Sequence, residues 1–253
     1  MKLALGLMYA QERHWLSLHL PVFAAGFDGI VAVGDDDTDG STQYLQSLGA
    51  DVTFHKFQQD WSAQFNRVIE RAEALGYDAL LRLDPDEAIF RSDVEVIRKK
   101  LTYEATLLVF ARHEFYGSRR QVRPDTYPDY QARAWRLGRG IRLGGAKHEG
   151  INFTEHELYE ATDDPNKRVL RLTNPAIYHY GWSSPQAIWN AMTKYQSQAQ
   201  LAAGQGPEVN FPPEQPLAEH MTVPFSEEQP LDPGKVGEYA PFGPGFDRHW
   251  GHS

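Results

Sequence analysis

A chain of 253 residues with 41% apolar side chains has room for one ordinary domain with an appendage, and enough apolar material for a sizeable core. Its formal net charge of −9 argues against a protein that grips a nucleic-acid backbone, and the absence of cysteine excludes disulfides and thiolate zinc sites. No stretch approaches the roughly 18 apolar residues of a membrane span, so a soluble protein of a reducing compartment is expected.

The first hundred residues alternate strand and helix. Leu3-Ala4-Leu5-Gly6-Leu7-Met8-Tyr9 reads as a first strand rather than the core of a signal peptide, since it lacks a small-x-small cleavage site and runs straight into Gln11-Glu12-Arg13. Trp15, Leu18, Val22 and Phe23 then recur at helical spacing over residues 12–26, with Pro21 marking a kink. A strand at 29–33 precedes a helix at 41–48, where Tyr44, Leu45 and Leu48 share a face and Gly49 supplies a stop. After a short strand at 52–55, the helix at 62–75 carries Phe65, Val68, Ile69, Ala72 and Leu75 in register, with Gly76 behind it. A strand at 79–83 follows. Strands separated by helical patterns imply βαβ units with right-handed crossovers.

Beyond residue 86 the order loosens. Ser92 can cap a helix running to Leu101, and 105–111 is a strongly apolar strand. Further strands are expected at 131–137, 169–172 and 176–180, and Ser184-Pro185 opens a helix. From Gly204 the chain is dense in Pro, Gly, Glu and Gln, as in an extended strap or a disordered tail. The division expected is a domain over 1–203 and a tail over 204–253.

Chemistry concentrates in two acidic clusters at strand ends. Asp35-Asp36-Asp37-Thr38-Asp39-Gly40-Ser41 follows the run 29–33, and Asp84-Pro85-Asp86-Glu87 follows 79–83. In open α/β sheets ligands bind beyond the carboxyl ends of the strands, so both clusters can reach one crevice. Carboxylates gathered there repel one another unless a cation lies between them, and oxygen-rich sites suit Mg²⁺ or Mn²⁺. Asp35-x-Asp37-x-Asp39-Gly40 also matches the start of an EF-hand loop, but its twelfth position is Gln46 and a strand precedes it. A plain acidic turn is the remaining alternative. Lys147-His148-Glu149-Gly150, after Gly144-Gly145, is either a solvated loop or the seat of a general base, Glu149. His179, between two tyrosines, is a core histidine or a metal ligand.

Taken together, these landmarks resemble the family 2 glycosyltransferases of the GT-A fold, and within them the branch that includes lipopolysaccharide core glucosyltransferases. The acidic turn at 33–41, Phe65-Asn66-Arg67 on the following helix, Asp84, Asp86 and Glu87, the Arg-bearing strand Gln131-Ala132-Arg133-Ala134-Trp135, His148-Glu149 and His179-Tyr180-Gly181 occur in the family's order across residues 3–195. Gly34 stands where the family usually has the first Asp of its turn. The resemblance implies an α/β, Rossmann-like, mainly parallel sheet flanked by helices, with the extended C-terminal tail added. It also implies a nucleotide-diphosphate sugar as donor and a glycan, lipid-linked, protein or small-molecule acceptor. Mn²⁺ or Mg²⁺ would be held by Asp84, Asp86 and His179, and Asp35, Asp36, Asn66, Asp84, Arg133 and Lys147 would bind the nucleotide sugar. Glu149 would deprotonate the acceptor, and Trp135 and Trp182 are candidates for stacking on a sugar. The setting implied is the cytoplasm, at most peripheral to the inner membrane. A nucleotidyltransferase needs paired carboxylates as well, but no Gly-rich basic phosphate loop follows the first strand. A non-catalytic sugar-binding or partner-binding module is the third reading.

Overall fold

The computed structural model describes residues 1–35, 37–116, 121–122, 129–144, 150–151, 168–183 and 223–224. Their chain order is β1 (Leu3–Tyr9), α1 (Arg13–Phe23), a 3₁₀ turn (Ala24–Gly26), β2 (Gly29–Gly34), α2 (Ser41–Ser47), β3 (Asp51–Phe54), α3 (Trp61–Ala74), β4 (Ala79–Arg82) and β5 (Glu87–Ala88). There follow α4 (Arg91–Tyr103), β6 (Leu107–Tyr116), β7 (Gln121–Val122), β8 (Asp129–Arg136), β9 (Leu143–Gly144), β10 (Gly150–Ile151), β11 (Val169–Trp182) and β12 (Val223–Pro224). The chain divides into two compact units. Residues 1–111 and 130–177 form the first, and residues 112–129 and 178–253 the second.

In the first unit the strand order is β6-β8-β4-β1-β2-β3. The pairs β4–β1, β1–β2 and β2–β3 are parallel, and β8 joins β4 antiparallel. This is the mixed, mainly parallel α/β sheet expected. Period-two alternation sorts the side chains of β1: Leu3, Leu5, Leu7 and Tyr9 enter one core with Leu16, Leu20 and Phe23 of α1 and Val94, Ile97 and Leu101 of α4. Ala4 and Met8 enter the opposite core with Phe65, Val68, Ile69 and Ala72 of α3. Helices therefore cover both faces, which is why the central strands read as unbroken apolar runs. Gly49 and Gly76, with φ of 79° and 74°, end α2 and α3 in the left-handed region that glycine enters without penalty.

The structure departs from expectation at several element limits. Ser92 lies inside α4, whose N-cap is Phe90 with no side-chain hydrogen bond. Strand β6 runs to Tyr116, and the two strands expected at 169–172 and 176–180 form one strand, β11, through Pro175. The helix expected at 184 and the 203/204 boundary lie outside the described residues. In the second unit β7 pairs with β12 and with Phe115 of β6.

Gly34 has a steric explanation. Tyr9 and Gly34 are register partners, and a Cβ on Gly34 would lie 2.6 Å from Tyr9 Cζ and 2.7 Å from its hydroxyl oxygen. Tyr9 is 5% exposed and shares a 2.7 Å hydrogen bond with Thr42 Oγ1, so its ring cannot yield easily. Gly34→Ala is expected to destabilise the protein by about 1–3 kcal/mol through overpacking. In a Tyr9→Ala background the same change should cost much less, as thermal melting of the four proteins of the cycle would show; equal costs in both backgrounds would contradict the clash.

Candidate functional site

The parallel order β4-β1-β2 places the ends of β2 and β4 on one edge of the sheet. They are separated by β1 alone, so the two acidic turns leave the sheet about 10 Å apart laterally. That proximity is what the sequence pattern required. The disposition of the individual carboxylates is different from the pattern expected.

In the first turn Asp37 and Asp39 serve the backbone. Asp37 Oδ1 accepts the N–H groups of Asp39, Gly40 and Ser41 at 3.1–3.3 Å, and its Oδ2 accepts that of Thr42 at 2.6 Å. Those of Gly40, Ser41 and Thr42 are donors that a helix leaves unpaired at its start, here that of α2. Burial pushes the Asp37 carboxyl up, but the hydroxyl and N–H of Thr42, together with hydrogen bonds from Asp39 and Ser41, outweigh it and hold the group at about 2. Asp39 Oδ1 accepts from the Ser41 hydroxyl at 2.6 Å and its Oδ2 from the Arg13 N–H at 2.8 Å. The EF-hand resemblance thus comes from helix capping. Asp35 Oδ1 accepts the Phe57 N–H at 3.0 Å, tying the end of β2 to the loop that leads into α3. Asp36 lies outside the described residues.

The second turn is closed by Glu87 N–H donating to Asp84 C=O at 2.9 Å, with Pro85 at the position that favours such a turn. Asp84 does not stand as an unneutralised carboxylate. Arg133 Nη2 lies 3.2 Å from its Oδ2 and Arg82 Nη2 3.5 Å from its Oδ1. Arg133, expected to touch phosphate, is 3% exposed and also donates to Glu87 Oε1 at 2.7 Å. Its position under the turn follows from strand parity, which puts it on the face of the buried Trp135. The mutual repulsion inferred from sequence is therefore largely relieved by the protein's own cations. Asp86, the third acid of the turn, is partly exposed.

Asn66, expected at the nucleotide, uses its amide on the backbone of β9. Its Nδ2 donates to Leu143 C=O and its Oδ1 accepts from Leu143 N–H, both at 2.9 Å. Gly144 pairs with Gly150 across β9 and β10, so Asn66 anchors one arm of the hairpin whose connecting residues include Lys147 and Glu149. Lys147, His148 and Glu149 lie outside the described residues. Trp135 is fully buried against Phe65, 6.1 Å between ring centroids, and is a core residue rather than a sugar platform. In the second unit His179 Nδ1 lies 3.3 Å from Glu114 Oε1, and Trp182 stacks on Tyr116 at 6.1 Å.

Sequence reasoning gave no role to Tyr9 or His19, and it counted Glu87 as a landmark of the acidic turn without assigning it a task. His19 is buried on α1, and its Nδ1 lies 3.1 Å from the Pro85 carbonyl oxygen. Glu87 is 1% exposed. A groove of about 760 Å³ opens at the opposite, amino end of the strands, lined by Met1, Asp78, Arg136, Arg139 and Arg142 among others. No residue expected in the site lines it, and strand-end geometry is the better guide to chemistry here.

Among the described residues no group of three or more His, Asp or Glu side chains is gathered to hold a metal ion. A cation carried by a diphosphate needs less. Mg²⁺ typically keeps several waters and takes one or two carboxylates besides the phosphates, and the turn at 84–87 carries carboxylates in that number. Among the described residues no helix is long and apolar enough to cross a membrane.

No protein-family model matches the sequence, and no curated protein matches it. Solved structures similar to the chain include S. aureus TarS, with 14% identity over 79% of this chain and 40% of that one at a TM-score of 0.46. Another is S. aureus TarS 1-349 in complex with UDP-GlcNAc, with 14% identity over 79% of this chain and 67% of that one at a TM-score of 0.44. M. tuberculosis glucosyl-3-phosphoglycerate synthase matches with 14% identity over 47% of this chain and 46% of that one, at a TM-score of 0.36. The chain thus spans less than half the length of full TarS.

Proposed function

We propose that this chain is a GT-A glycosyltransferase of the family 2 type, which moves a sugar from a nucleotide-diphosphate donor to an acceptor hydroxyl with inversion. The observation that carries the reading is the delivery of two acidic turns to one sheet edge by β2 and β4 on either side of β1, in the order the resemblance requires. In this reading Asp35 and Asp36 bind the nucleoside, with Asp35 steadied by Phe57, and Lys147 meets phosphate. Asp86 holds the donor's cation. Mn²⁺ or Mg²⁺, when bound, neutralises charge on the departing nucleotide as a Lewis acid. Glu149 takes the proton of the acceptor hydroxyl while its oxygen bonds to the anomeric carbon and the bond to the diphosphate oxygen breaks. Asn66 holds the strand that leads towards Glu149.

The test is a thermal-shift panel of nucleotide-diphosphate sugars, UDP-glucose and UDP-GlcNAc included, with and without Mn²⁺ and beside free nucleoside triphosphates. Binding to the folded state stabilises by mass action, about 2.7 kcal/mol at a hundredfold excess over Kd. A donor whose stabilisation grows with Mn²⁺ is the expected result. Stabilisation by triphosphates alone would point to nucleotidyl transfer and sink the proposal.

A further inference from the structure

We propose that the buried Glu87–Arg133 ion pair is the positioning device of the turn that presents Asp86 to the donor's cation; this rests on the glycosyltransferase reading. Glu87 is 1% exposed and Arg133 3% exposed, so both charges are withdrawn from water. Such a pair is weak evidence for stability, because desolvation costs about as much as the attraction returns, and apolar residues of similar volume are often as good or better. Its contacts assign it another task. Glu87 divides its carboxylate between two partners, with Oε2 accepting the Asp84 N–H at 3.0 Å and Oε1 accepting Arg133 Nη2 at 2.7 Å. The same Arg133 nitrogen donates to Asp84 Oδ2 at 3.2 Å. Glu87, Arg133 and Asp84 thus form a ring in which the acid at the end of the turn fixes both the backbone and the side chain at its beginning.

Other elements pin what remains. His19 of α1 meets the Pro85 carbonyl at 3.1 Å, and Arg82 of β4 meets the far oxygen of Asp84 at 3.5 Å. Residues 84, 85 and 87 are held from four directions, and Asp86 is carried between them. A carboxylate that has to meet a cation within tenths of an ångström gains from such support. Partners behind the ligands commonly change metal affinity or activity by about 10- to 100-fold.

The experiment compares wild type with Glu87→Leu/Arg133→Met, which replaces the pair by apolar groups of similar length, and with the single variant Glu87→Gln. Two readouts are taken: amide exchange of the peptide spanning 80–90 in the unliganded protein, and calorimetric binding of Mn²⁺ with UDP and with GDP. The double variant is expected to keep its melting temperature, to exchange the turn amides about tenfold faster, and to lose about 10- to 100-fold in Mn²⁺-dependent nucleotide affinity. Glu87→Gln, which keeps one acceptor oxygen for two donors, should show both changes in the same direction if the double variant does not fold. Wild-type exchange, or faster exchange with unchanged affinity, would overturn the proposal. A wild-type protein that binds neither nucleotide would count against the glycosyltransferase reading, while the exchange readout would still decide whether the pair pins the turn.

Discussion

Asp86→Ala is expected to lower kcat by about 10²- to 10³-fold and to abolish the response of rate to added Mn²⁺. The size follows from how the turn distributes its charges. Asp84 has an arginine nitrogen near each carboxylate oxygen, and Glu87 is paired with Arg133. A divalent ion on Asp84 would face two guanidinium groups. Each unit-charge repulsion at about 4 Å amounts to about 4 kcal/mol at an effective dielectric constant of about 20. In the glycosyltransferase reading Asp86, which is partly exposed, is the carboxylate on which cation dependence should rest. Asp84→Asn supplies the contrast, because it should weaken the hold on Arg133 yet leave the Mn²⁺ response in place. Initial rates across a Mn²⁺ titration test both variants. An Asp86→Ala protein with wild-type Mn²⁺ dependence would show that the cation is held elsewhere.

Glu149→Gln is expected to reduce kcat by about 10²- to 10⁴-fold while leaving the donor Kd within about twofold, since a general base acts on the acceptor proton and not on the nucleotide. The amide keeps the size of the side chain and removes its basicity. The pH–rate profile should lose its acidic limb as well, because that limb reports the protonation of the base. Single-turnover rates and calorimetric donor binding separate the two effects. Loss of both binding and turnover would make Glu149 a structural residue of its hairpin, and retained turnover would put the base at another position. Asn66→Ala, by releasing both backbone groups of Leu143 at the root of that hairpin, should move kcat in the same direction by a smaller factor.

Much of the fold was legible because each element carries its own period. Strand β1 has the expected limits, and α3 begins one residue before the expected helix and ends one residue short of it. Buried strands and amphipathic helices announce themselves within about a dozen residues. Asn174-Pro175 reads locally as a turn, which is why the single strand β11 was expected as two. The candidate site was legible only as a location. Asp35, Asp37, Asp39, Asp84 and Asp86 are equivalent in sequence, all acids just past a strand end. Yet Asp37 and Asp39 cap α2, Asp35 ties down Phe57, and Asp84 belongs to an arginine pair. Strand parity was available for Arg133, which shares a face with Trp135, and would have marked it as buried.

Sequence alone determined the alternation of strands and helices, the parallel character of the sheet and the edge at which acid collects, because those follow from local periodicity and from the short connections of βαβ units. Tertiary structure decided which carboxylates are already satisfied. Their partners are remote along the chain: Arg133 is 46 positions from Glu87 and 49 from Asp84, and Leu143 is 77 from Asn66. A carboxylate's charge is written in the chain, but whether a guanidinium or an amide meets it depends on which segments the packed sheet brings side by side.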